Sequence, residues 1–118
     1  TMTFAGEMPV GASARLMRTN IDRLAISAEA AARQALGTIG SIARDRDEPV
    51  LAISVSCVGR RLVMGERTEE EVEAVTQGLP PGSVLAGFYS YGEISPLHGC
   101  TGGALHNQTM TITVLAEA

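Results

Sequence analysis

Residues 84–116, VLAGFYSYGEISPLHGCTGGALHNQTMTITVLA, decide the fold. In the first run Val84, Ala86, Phe88 and Ser90 point one way, and Leu85, Gly87, Tyr89 and Tyr91 the other. In the last run Met110, Ile112 and Val114 alternate with Thr109, Thr111 and Thr113. A period of two in residues rich in β-branched and aromatic types predicts two strands. The connector Gly92–Asn107 holds both histidines, one of the two cysteines and five Gly or Pro residues, and reads as a loop. Loops carried on rigid strands are where binding groups concentrate, so one wall of a site is expected here.

Upstream, Val50–Val58 (VLAISVSCV) is a near-continuous apolar run, the pattern of a strand buried on both faces. Gly59-Arg60-Arg61 ends it, and Leu62–Gly65 fits either a short helix or a strand. Thr68-Glu69-Glu70-Glu71 has the form of a capping box, with Thr at the N-cap and Glu three residues on. Val72, Val75 and Leu79 supply that helix with a thin apolar stripe, and Gly78 with Pro80-Pro81-Gly82 stops it. A longer helix starts behind Asn20, whose side chain suits an N-cap. Ile21, Leu24, Ala25, Ala28, Ala32, Ala35, Leu36 and Ile39 form its apolar face. Residues 1–19 read as two short strands around the Pro9–Gly11 turn. The order β-β-α-β-α-β-β predicts an α+β fold, a mostly antiparallel sheet with two main helices packed on it.

The 118 residues fit one domain with a modest core. Abrupt entry in mid-strand at Thr1 suggests a domain excised from a longer chain. No apolar run reaches the ~18–20 residues of a membrane span, and no signal-peptide pattern is present. A net charge of -4, with nine scattered arginines as the only cations besides the termini and histidines, argues against a nucleic-acid partner. With no tryptophan and 3% aromatics there is no stacking platform for bases either. Cys57 and Cys100 lack any zinc or redox spacing, and they permit a disulfide without implying one. A reducing, cytoplasmic setting is the expectation.

Each candidate group has two readings. Cys57, before Arg60 and Arg61, is either a nucleophile with an activated thiol or a small buried apolar residue, which is the commoner use of free cysteine. Arg60 and Arg61 either fork onto a carboxylate or form a solvated pair facing Glu66 and Glu69. Tyr91 and Glu93 would share a strand face, and with Asn107 on the returning strand they would make a polar patch for a small molecule. The alternative is that Glu93 satisfies loop amides while His106 and Asn107 cap the connector. His98 and His106 have no metal-site spacing, and no haem-attachment motif is present. No cofactor is expected. No nucleophile-elbow, phosphate-loop, zincin or dinucleotide motif occurs.

Gly87–Ile94 (GFYSYGEI) with His106–Thr111 (HNQTMT) resembles the C-terminal half of FIST sensory domains. Ser56–Arg60 (SCVGR) and Ala14–Asn20 (ARLMRTN) fit the same pattern in the same order. The resemblance implies a non-catalytic input module of bacterial signalling that binds a small ligand such as an amino acid; some members are regarded as haem-binding gas sensors. It also implies a preceding N-terminal half and an output domain as partners. Its matching positions are Arg60, Tyr91, Gly92, Glu93, His106 and Asn107. On that basis Arg60 takes a ligand carboxylate, Glu93 its ammonium group, and Tyr91 and Asn107 give neutral hydrogen bonds. The other readings are a structural half that docks on a partner or forms a homodimer, and an enzyme built on Cys57.

Overall fold

A computed structural model describes residues 1–4, 6–39, 48–96 and 102–117. Helix α1 (Ile21–Ile39) begins where Asn20 caps it, its Oδ1 accepting from the backbone N–H of Arg23 at 2.8 Å. Strand β1 (Leu51–Cys57) runs directly into helix α2 (Val58–Met64). A single 3-10 turn at Gly65–Arg67 leads to helix α3 (Thr68–Gln77). Strands β2 (Val84–Ser90), β3 (Glu93–Pro96), β4 (Gly103–His106) and β5 (Met110–Leu115) follow.

The fold is α+β with a mixed sheet. β1 is central, with β2 parallel on one side and β5 antiparallel on the other. The parallel pair is joined by the crossover through α2 and α3, the kind of long connection that parallel strands require. Register sets Ala52, Ser54 and Ser56 beside Leu85, Gly87 and Tyr89 on one flank and Val114, Ile112 and Met110 on the other. These residues share the face on which the helices pack. Ala28 and Ala32 of α1 and Ala74 and Val75 of α3 form the core, with Leu85, Met110 and Ile112 packed against it. The alanine stripe therefore does what its small side chains permit, bringing the two helices close over the sheet.

Three expectations change. Among the described residues of 1–19 no strand forms, because no neighbouring strand lies alongside to take the ladder hydrogen bonds. The connector is not simply a loop: β3 and β4 pair as an antiparallel ribbon, Glu93 opposite His106 and Ile94 opposite Leu105. Thr68 does not cap α3. Arg67 holds that position, and the Thr68 hydroxyl donates back to the carbonyl of Gly65 at 2.5 Å. His98 and Cys100 lie outside the described residues.

Candidate functional site

The described residues form two buried polar clusters, one on each side of the sheet. The first lies under the helices. Glu71 of α3 is completely buried and Arg60 of α2 is 4% exposed. Arg60 Nε donates to Glu71 Oε1 at 2.6 Å, and Nη2 lies 2.6 Å from the same oxygen. Ser56 Oγ donates to Glu71 Oε2 at 2.9 Å. Arg60 Nη2 also donates to the Leu24 carbonyl of α1 at 3.0 Å, and Nη1 reaches Ser27 Oγ at 3.5 Å. One ion pair thus ties β1, α1, α2 and α3 together. Every buried side-chain nitrogen and oxygen among the described residues has a partner, which is the condition for a buried charge pair to be tolerated.

The second cluster lies on the opposite face. Glu93 is 2% exposed and accepts from Ser90 Oγ and Thr109 Oγ1, each at 2.6 Å. Ser90 pairs with Cys57 on the face away from α1 and α3. The Cys57 N–H donates to the Thr109 carbonyl at 3.0 Å. Gln108 adopts φ 62°, and its amide lies so close to Gly59 that a Cβ there would come within 2.5 Å of Nε2. The segments SCVGR, YGE and NQT are therefore one assembled knot at the end of β1. His106 stands opposite Glu93, with Nε2 3.2 Å from the Ser95 carbonyl. Asn107 Oδ1 lies over Gly92.

This geometry corrects the expected grouping. Arg60 and Glu93 are on opposite faces of the sheet, so no single amino acid spans them. Arg60 is not a solvated partner of Glu66 and Glu69 either, because Glu71 takes it. Tyr91 does not share a face with Glu93: the strand ends at Ser90, and Tyr91 swings out to 90% exposure while Glu93 turns in. Glu93, His106 and Asn107 do come together. Cys57 is free and buried.

Beside α3, over β1 and β2, the sheet and helix leave a cleft of about 250 Å³. Val75, Leu85 and Met110 form its apolar walls, and Ser54, Ser56, Glu71 and Tyr89 line it with polar atoms. Gly87 also lines it, and only glycine fits there, since a Cβ would sit 2.1 Å from the Ser54 carbonyl oxygen. The exposed Arg61 guanidinium stands 5.3 Å from the centroid of the Tyr89 ring and forms no ion pair among the described residues. Burial, and then the nearby Glu71 carboxylate, pushes the Tyr89 phenol above the ordinary tyrosine value. Such a cleft can hold a compact molecule with an apolar body and an anionic end. Among the described residues no cluster of His, Cys, Asp and Glu could hold a metal ion, and no helix is long and apolar enough to cross a membrane.

None of Arg60, Tyr91, Glu93, His106 and Asn107 lines this cleft, and its polar lining residues Ser54, Glu71 and Tyr89 were not singled out from the sequence. The signal for Glu71 was its spacing: with Ala74, Val75 and Gly78 it occupies one stripe of α3, so a carboxylate on that stripe had to be buried and paired. Reading it as half of a capping box hid this.

The FIST C domain family model matches residues 1–96, which is 96 of the 118 residues. The chain belongs to the FIST C domain family, a family of sensory domains in signal transduction. The match contains SCVGR and GFYSYGEI, whereas His106–Thr111 lies beyond it. No curated protein matches the chain, and no solved structure does.

Proposed function

We propose that this protein is a non-catalytic input domain of bacterial, cytoplasmic signalling that binds a small ligand, an amino acid, in the cleft between α3 and β2. The observation that carries this reading is the cleft itself, mostly apolar, with the Arg61 cation standing over Tyr89, one of its lining residues. The ligand carboxylate meets Arg61, for which a planar fork of donors is the right shape. The Tyr89 and Ser54 hydroxyls turn toward its ammonium group. An apolar side chain rests on Val75, Leu85 and Met110. Apolar walls with a few placed polar groups are the usual make-up of small-molecule sites. Arg60 keeps the position of Glu71, and Glu93, His106 and Asn107 brace the knot at the end of β1.

The test is a thermal-shift screen of the chain against the amino acids, repeated on Arg61→Ala. A ligand at ~100 times its dissociation constant adds roughly 2.7 kcal/mol, a rise of several degrees in a chain of this size. A selective rise that Arg61→Ala abolishes supports the reading. No rise with any amino acid overturns it.

A further inference from the structure

The sheet face away from α1 and α3 carries no charged residue on any of its three strands. Register places Leu51, Val84 and Leu115 in one row, Ile53, Ala86 and Thr113 in the next, and Val55, Phe88 and Thr111 in a third. Phe88 is 64% exposed and Val84 61%, and Leu51, Ala86 and Leu115 are exposed as well. The β3–β4 ribbon approaches this side at the Cys57 and Ser90 end. A sheet face that meets water is ordinarily polar. Here the apolar run of β1 demands cover on both faces, and the helices supply only one.

We propose that this face is the interface of a symmetric homodimer, in which two copies stack their sheets into a β-sandwich. Sheets pack face to face at about 10 Å through such uncharged, interdigitating side chains. A surface without charges needs no complementary field, so it matches itself, as a two-fold interface requires. At these exposures the three rows offer roughly 600 Å² per copy, about 1,200 Å² for the pair, which reaches the lower bound for specific interfaces. The Leu51 and Leu115 end is flanked by Glu48 and Glu117. A two-fold axis running across the strands places that acidic end of each copy over the Phe88 end of the other and keeps the carboxylates apart. The interface meets the amino-acid cleft only along the β2 edge, where Ala86 and Phe88 touch both; the remaining cleft residues lie on the helix side or at that edge.

Light scattering on the intact chain, from micromolar to sub-millimolar concentration, reads the result directly. The expected mass at high concentration is twice that of the 12.3 kDa chain. Val84→Lys with Leu115→Lys, both at exposed positions of the face, is expected to give a monomer with unchanged circular dichroism. Ile53→Cys, central on the face, is expected to crosslink two chains under mild oxidation, and Glu73→Cys on the exposed side of α3 is not. A wild-type chain that stays monomeric throughout overturns the proposal and leaves the face to a different polypeptide. A dimer that survives the double substitution, or that crosslinks equally through Glu73→Cys, assigns the contact to another surface and overturns it too.

Discussion

Replacing Glu71 with alanine removes the acceptor of the Arg60 guanidinium and of the Ser56 hydroxyl in one step. Arg60 is left 4% exposed with its charge unbalanced, and among the described residues it holds the Leu24 carbonyl and the distant Ser27 hydroxyl. Breaking a buried pair from one side costs about 3–5 kcal/mol. For 118 residues the unfolding entropy is about 0.25 kcal/mol/K, so the midpoint falls by roughly 12–20 °C. The companion variant Arg60→Met with Glu71→Leu removes both charges and fills the space with apolar atoms. It is expected to recover most of the loss, because the desolvation cost of the two ions disappears with them. Calorimetry on wild type, Arg60→Met, Glu71→Leu and the double variant closes the cycle, with Glu71→Ala measured beside them. A Glu71→Ala midpoint within about 4 °C of wild type, or a double variant less stable than Glu71→Ala, would refute the reasoning.

Glycine substitutions separate rigid from yielding contacts. Gly87→Ala drives a Cβ into the Ser54 carbonyl and is expected to cost about 3 kcal/mol or more, whereas Gly59→Ala meets the movable end of Gln108 and should cost about 1–2 kcal/mol, both read by urea unfolding. Thr109→Val removes one of the two hydroxyls that donate to the buried Glu93 carboxylate among the described residues and is expected to destabilise by about 1–3 kcal/mol, measured the same way. In Tyr91→Phe the one remaining tyrosine, Tyr89, is expected to ionise above the ordinary value near 10 in a phenolate absorbance titration. The native state then holds that proton longer than the unfolded chain. Stability is undiminished below pH 10 and declines as pH rises through and beyond it. Ionisation below pH 10 would contradict the burial argument.

The elements with a strong period were legible from sequence. The alternation in VLAGFYS and MTITVL fixed β2, β5 and the faces of Leu85 and Tyr89, and the alanine stripe with Asn20 fixed α1. What escaped was non-local. The parallel partnership of β1 and β2 depends on the crossover through α2 and α3, which no single stretch encodes. The β3–β4 ribbon is only four residues a strand and is broken by Pro and Gly, so its alternation is too short to outweigh those turn signals. At the site, Glu93 and His106 face each other through the β3–β4 register, which the reading of Gly92–Asn107 as a loop did not supply. Arg60 and Glu93 were not separable, because which face of the sheet each meets is set by where α2 and the ribbon fold over it. Exposure of ARLMR likewise depends on whether a strand lies beside it, which propensity does not say.

Backbone amide chemical shifts of the chain, followed during titration with the amino acid that gives the largest thermal shift, test the central claim most directly. The account predicts saturable changes centred on Ser54, Arg61, Val72, Gly87 and Tyr89, lost in Arg61→Ala. Changes confined instead to the Ser90–His106 knot, or no saturable change with any amino acid, would contradict a ligand seat between α3 and β2.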